Sequence, residues 1–182
     1  MHYVVATRFN TETWAENQSY REKYNMNGCI YGISRQPNEK IFGPYPFFVI
    51  EMNLSEHKIM GIGLVSNKIH CDKRYHIYKD NNYNRFIFKS EYRIDRSEML
   101  ENQESKVFLK VFEEVLFNIS KCYKKGKAFT QLPLWMRFTK AYDYNSVLIN
   151  MFKHKYSNTN TILQNIPIPE NTQTKQAQNN SK

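Results

Sequence analysis

The sequence predicts an α+β chain in three parts: a small mixed β-barrel over residues 1–96, a helical extension packed on it over 97–156, and a disordered polar tail over 157–182. Three observations carry this. Before Ser97 the apolar residues alternate in short runs separated by turn formers, the two-residue period of strands. From Gln103 they recur at three and four residues, the period of a helix. Beyond Ser157 Asn, Thr and Gln dominate and large apolar groups become few, a composition that cannot offset the entropy of ordering the chain.

Residues 3–9 (YVVATRF) are a β-branched run ended by Asn10-Thr11 and predict a first strand. Residues 13–23 read as a polar helix or loop that contains Trp14, with Thr13 and Glu16 spaced as a capping box. A turn and a strand follow at 27–33 (NGCIYGI), then an irregular loop at 35–46 that holds Pro37, Pro44 and Pro46. Residues 47–53 and 58–65 form a hairpin across the polar 54–57. By alternation Phe48, Ile50 and Met52 join Met60, Ile62 and Leu64 on one apolar face. The opposite face carries Glu51, Gly61 and Gly63, and two glycines on one side of a strand mark close approach by a helix, another backbone or a ligand. Further short strands are predicted at 74–79, 84–89 and 92–94, around a turn at 80–82. So many short strands would leave free edges in a flat sheet of this size, and barrel closure removes them. Next comes a helix over 104–123 with Phe108, Val111, Phe112, Val115, Ile119 and Cys122 on its apolar face. A basic loop at 121–133, with Gly126 past the helix end, leads to two shorter helices at 133–142 and 145–156. The last of these turns Leu148, Met151 and Phe152 inward.

Length and an apolar content of 41% suffice for an independent core. With 13 Tyr and 12 Phe, many rings are expected at half-buried positions with polar edges exposed. No apolar run reaches the roughly 18 residues of a membrane span, and residues 1–9 lack a secretory signal pattern. The cysteines Cys29, Cys71 and Cys122 are odd in number and widely spaced, which fits a reducing compartment. The expected location is therefore intracellular, in cytoplasm or nucleus, with no membrane partner. The net charge of +9 is uneven: residues 1–67 sum to zero, 68–96 to +4, 97–120 to −3 and 121–155 to +7. Two basic zones flanking an acidic helix are the footprint of a protein that neutralises phosphates, or a solvated surface that aids solubility.

No Gly-rich phosphate loop, nucleophile elbow, HExxH or paired CxxC is present, so no catalytic residue and no cofactor is predicted. His70, Cys71 and His76 lack the second ligand pair of a structural zinc site, so no metal is predicted either. A hydrolase built on Glu51 would need further clustered carboxylates. The interleaving of Tyr75, Tyr78, Tyr83, Phe86, Phe88 and Tyr92 with Arg74, Lys79, Arg85, Lys89 and Arg93 is more telling, since single-stranded nucleic acid takes rings for its bases and cations for its phosphates. Half of these rings as core, rimmed by cations, is the competing reading. Tyr83, Asn84 and Arg85 are candidate base and phosphate contacts, and Lys124, Lys125 and Lys127 candidate phosphate contacts. Asn84 offers an amide for a base edge, or else builds the turn.

The order of YVVATRF, Trp14, CIYGI and then PYPFFVIEMN…KIMGIGLVSN before basic aromatic strands resembles the PUA-like folds over residues 1–96, especially the EVE and YTH domains. The chain is also similar to a family of short proteins of large nucleocytoplasmic DNA viruses, through its I-x-G-I-G-L and N-Y-N-R arrangement. The PUA-like resemblance implies a barrel that captures one flipped or modified base, DNA or RNA, in an aromatic pocket. Trp14, Tyr31, Gly61 and Gly63 would line that pocket, although no second tryptophan occurs in residues 1–96. The alternative is a virion-associated or other protein-binding role without enzymatic activity.

Overall fold

The hairpin expected at 47–65 lies at the centre of the structure, a computed structural model that describes residues 3–36, 45–119, 129–132 and 142–157. In chain order the elements are β1 (Tyr3–Phe9), α1 (Thr11–Lys23), β2 (Cys29–Ile33), β3 (Phe47–Asn53), β4 (Lys58–Val65), β5 (Phe86–Ser90), β6 (Arg93–Asp95), α2 (Arg96–Met99), α3 (Gln103–Glu113), β7 (Thr130–Gln131) and α4 (Tyr144–Lys155). The α+β class is as expected. The strands pair as two sheets, and no closed barrel is present among the described residues: five strands run in the order β6-β4-β3-β1-β7, and β2 pairs with β5 alone. β1 lies parallel to β3, with α1 and β2 in the crossover between them, and the other pairs are antiparallel. Among the described residues no helix is long and apolar enough to cross a membrane.

Both faces of the large sheet are covered. One packs Phe48, Ile50, Ile62 and Leu64 against Phe108 and Phe112 of α3 and Leu148 and Phe152 of α4. The other packs Val5, Phe47, Val49 and Val65 against β2, β5 and Trp14 of α1. Coverage on two sides explains why all seven residues of β3 are buried where an alternating pattern would leave half of them wet.

A bulge corrects the predicted hairpin face. Phe48 faces Leu64 and Ile50 faces Ile62, but between Glu51 and Met52 the register slips, so that Met52 faces Ile59. The extra residue sends Met60 to the opposite core, and Ile59, fully buried, takes its place. The interrupted ladder is repaired from outside the sheet. Ile59 N–H donates to Glu113 Oε1 at 2.7 Å, Arg96 Nη1 donates to Ile59 O at 2.8 Å, and Arg96 pairs with Glu113.

Four further expectations are corrected. α1 starts earlier than predicted, because Asn10 is the cap: its Oδ1 accepts from Thr13 N at 2.8 Å while Thr13 Oγ1 accepts from Asn10 N at 3.0 Å. Residues 74–79 form no strand. The Asn84 amide takes the part of a neighbouring strand there, accepting from the N–H groups of Ile77 and Tyr78 and donating to Tyr78 O at 2.6 Å. The segment Asn81–Asn84 is a 3₁₀ turn, so β5 begins only at Phe86. Val111 is 37% exposed rather than core, since it sits at the edge of the stripe formed by Ser105, Phe108, Leu109 and Phe112. The helix continues through a π-helical turn at Glu114–Ile119. Cys122, the basic loop over 121–128, the helix at 133–141, most of the proline loop and the polar tail beyond 157 lie outside the described residues.

The bulge gives a direct test. Ile59→Ala should cost about 2–5 kcal/mol, as a large-to-small change in a closed core, and Met60→Ala clearly less. Equal shifts of the two urea midpoints would contradict this register.

Candidate nucleic-acid interface

The glycine face of the hairpin is filled by the protein itself. A Cβ on Gly63 would collide with Tyr31 Oη and lie 2.7 Å from Cys29 Sγ, so this glycine admits the side chains of β2. A Cβ on Gly61 would lie 2.6 Å from both Arg93 Nη2 and Glu51 Oε2. Gly61 therefore leaves a gap in β4 across which β3 and β6 exchange an ion pair. Arg93 Nη2 and Glu51 Oε2 are 2.7 Å apart, and each side chain is 1% exposed. Arg93 Nε also donates to Glu51 Oε1, at 3.0 Å, and Tyr31 Oη donates to the same oxygen at 2.7 Å. At the far end of the guanidinium Nη1 lies 2.6 Å from Asp95 Oδ2.

Four predicted site residues thus belong to the core. Tyr31, Gly61 and Gly63 have no surface to offer a ligand, because Tyr31 and Cys29 of β2 cover Gly63 and the Glu51–Arg93 pair covers Gly61. Trp14 is 7% exposed, edge-on to Phe9 at 5.2 Å, with the guanidinium groups of Arg21 and Arg93 at 5.6 and 5.9 Å from its ring. Glu51 is held by Arg93 and Tyr31 with no face to water, which also removes it as a hydrolytic carboxylate. Of the three turn residues, Asn84 has its amide committed to backbone, and Tyr83 is half-buried with its ring 6.0 Å from Tyr78. Arg85 is exposed, 5.7 Å from the Phe86 ring. Lys124, Lys125 and Lys127 lie outside the described residues.

One group of exposed aromatic and basic residues, Lys23, Tyr24 and Lys73, meets at the end of α1. The helix stops at Tyr24, and Asn25 turns the chain with a φ of 50°, a left-handed conformation that Asn tolerates. Met26 N–H donates to Arg21 O at 2.8 Å and closes the turn into β2. This leaves Tyr24 47% exposed beside Tyr20, at 4.6 Å between ring centroids. Lys23 and Lys73 place their ammonium groups 5.5 and 4.8 Å from its ring. Lys73 is also 5.2 Å from the ring of Tyr75, a buried residue that organises the adjoining loop. Tyr75 Oη donates to Asp72 Oδ1 at 2.8 Å and accepts from Lys89 Nζ at 2.7 Å. These bonds hold the Asp72 carboxyl below its usual range and raise the Lys89 ammonium, both chiefly through Tyr75. Burial lowers the neighbouring His70, and the positive charge of Lys89 adds to the effect. Among the described residues Arg21, Lys23, Lys73 and Arg74 have no carboxylate within 4 Å.

Next to this surface opens a groove of about 1130 Å³ between the α1–β2 turn and the β5–β6 turn, lined by Arg21, Asn25, Asn27, Lys89, Glu91 and Asp95 among others. The interleaving at 74–96 pointed to part of this surface, but Phe88, Tyr92 and Arg93 proved to be core. Arg21, Tyr24 and Asn25 were missed, since nothing local distinguishes the last turn of a polar helix. The one available signal was the ring of Tyr24 beside Lys23.

The buried cluster predicts alkaline sensitivity. Burial, and next the charge of Glu51, push the Cys29 thiol from 9.0 up to about 12. Burial likewise raises the Tyr31 and Tyr78 phenols above 10.0. Each raised acid contributes stability that is whole below its unfolded value and is lost as pH rises toward the folded one. Stability to urea should hold up to pH 9 and then fall by about 1.4 kcal/mol per pH unit for each group engaged. In Cys29→Ala the onset should move from pH 9 to pH 10, and an unchanged onset would remove the thiol from this account.

No protein-family model matches the chain, and neither a curated protein nor a solved structure matches it.

Proposed function

We propose that this chain is a non-enzymatic, intracellular protein that binds single-stranded nucleic acid on the face formed by the end of α1 and the 68–89 segment. The observation that carries the reading is the half-exposed Tyr24 ring with the ammonium groups of Lys23 and Lys73 at 5.5 and 4.8 Å from it, and with Arg74 on the same segment as Lys73 having no carboxylate within 4 Å among the described residues. An exposed ring stacks any base, and unpaired cations take the phosphates on either side. Lys124, Lys125 and Lys127 belong to the same reading as further phosphate contacts. The reading keeps the PUA-like resemblance of residues 1–96, which rests on the order of YVVATRF, Trp14, CIYGI and the hairpin. Capture of a flipped base on the glycine face is not part of the proposal, because that face is filled.

A second reading, a protein partner such as another virion component, is supported by Leu100, Val107 and Val111, which are 46%, 43% and 37% exposed on the acidic α2–α3 segment. Gel shift against co-purification separates the two.

Binding to an eight-nucleotide strand should weaken with salt. Lys23→Gln, Lys73→Gln and Arg74→Gln combined should flatten the slope of log K on log salt by roughly 0.7 per lost phosphate contact. Tyr24→Ala should cost about 1–3 kcal/mol of affinity while leaving the melting temperature in place. A salt slope and affinity unchanged in both variants would take this face out of the proposal.

A further inference from the structure

The groove beside Tyr24 has walls of opposite character, and most of its charges are already committed. Glu98 pairs with Lys155 at 2.6 Å, Asp95 with Arg93 at 2.6 Å, and Lys89 with Tyr75 and Asp72. Lys155 also donates to Arg93 O at 2.7 Å, and Tyr156 Oη to the same oxygen at 2.8 Å. On the first wall the remaining groups are the Arg21 guanidinium and the amides of Asn25 and Asn27. Arg21 gives its Nε to Asn17 at 3.1 Å and has no carboxylate partner among the described residues. The two amides make no side-chain hydrogen bond among the described residues. The opposite wall keeps one uncommitted group, the exposed carboxylate of Glu91, which pairs with no cation among the described residues. The walls touch at the floor: a Cβ on Gly28 would lie 2.6 Å from Glu91 Cα and collide with Ser90 O, so Gly28 sets the turn of Asn25 and Asn27 against Glu91.

From this we infer that the groove takes one base of the bound strand and selects an amino-bearing base, guanine foremost, through Glu91. An ionised carboxylate accepts and cannot donate. Guanine presents two adjacent N–H donors along its pairing edge, and cytosine one amine. Thymine and uracil set two carbonyl oxygens around their single N–H and are repelled. The Asn25 and Asn27 amides, donor and acceptor together, suit the other edges of the base, and Arg21 suits its phosphate. At about 1130 Å³ the groove accommodates a nucleotide, and it adjoins the ring on which the neighbouring base would stack. This inference rests on the single-strand reading above.

The test uses the full chain and fluorescence anisotropy with two strands, eight thymidines and the same strand with one central guanosine. The guanosine strand should bind about tenfold tighter. Glu91→Gln presents a donor beside an acceptor and should bring that ratio close to one, with the thymidine strand bound as well as before or better. Glu91 is exposed, so the variant should keep the circular dichroism and melting temperature of the parent. Equal affinity of the parent for both strands, or an undiminished ratio in Glu91→Gln, overturns the inference and leaves the interface standing. Failure of both strands to bind at low salt overturns the two together.

Discussion

The ion pair between Glu51 and Arg93 is the contact on which the layers of this fold converge. Two charges with 1% of their side chains exposed carry a desolvation cost of several kcal/mol each, offset only where the geometry is close and the remaining hydrogen-bond positions are filled. Here Tyr31 fills one of them and thereby docks the β2–β5 sheet on the larger one. The Arg93 guanidinium lies against Trp14 of α1, and its backbone carbonyl receives Lys155 and Tyr156 from the end of α4. One residue on a three-residue strand therefore reaches the first and last helices directly and the second sheet through Glu51. Removing a single partner of such a pair typically costs 3–5 kcal/mol, a large part of the stability of a domain this size.

Much of the fold was legible. β1, β2, the hairpin, α3 and α4 all announced themselves by period and punctuation, because each is specified by residues a few positions apart. What escaped the sequence depends on partners far along the chain. The bulge at Met60 is stabilised by Glu113 and Arg96, and the apparent strand at 74–79 is satisfied by a side chain instead of a neighbouring ladder. The glycine signal on β4 was read correctly as a demand for close approach. Its occupants, a tyrosine and a thiol of β2 at Gly63 and the Glu51–Arg93 ion pair at Gly61, could not be named without the topology.

The same distinction governs the candidate site. Interleaved rings and cations suggested a binding surface, yet local alternation does not say which rings are needed to fill the core. Phe88 and Tyr92 went inside, Tyr75 became the hinge of a hydrogen-bonded loop, and the exposed ring came from a helix end with no pattern of its own. Electrostatics discriminates better at this stage. Most carboxylates near the groove are matched by a cation, whereas Lys23 and Lys73 beside Tyr24 have no carboxylate within 4 Å among the described residues.

The large sheet carries apolar side chains on both faces, and the covers come from opposite ends of the chain. Residues 1–96 cut off from the rest would present Phe48, Ile50, Ile62 and Leu64 to water, a sticky stripe in place of a core. The two parts are thus not interchangeable cassettes. A graft of residues 1–96 onto another scaffold, or loss of the helices through a frameshift, would produce an aggregating fragment instead of a smaller folded protein.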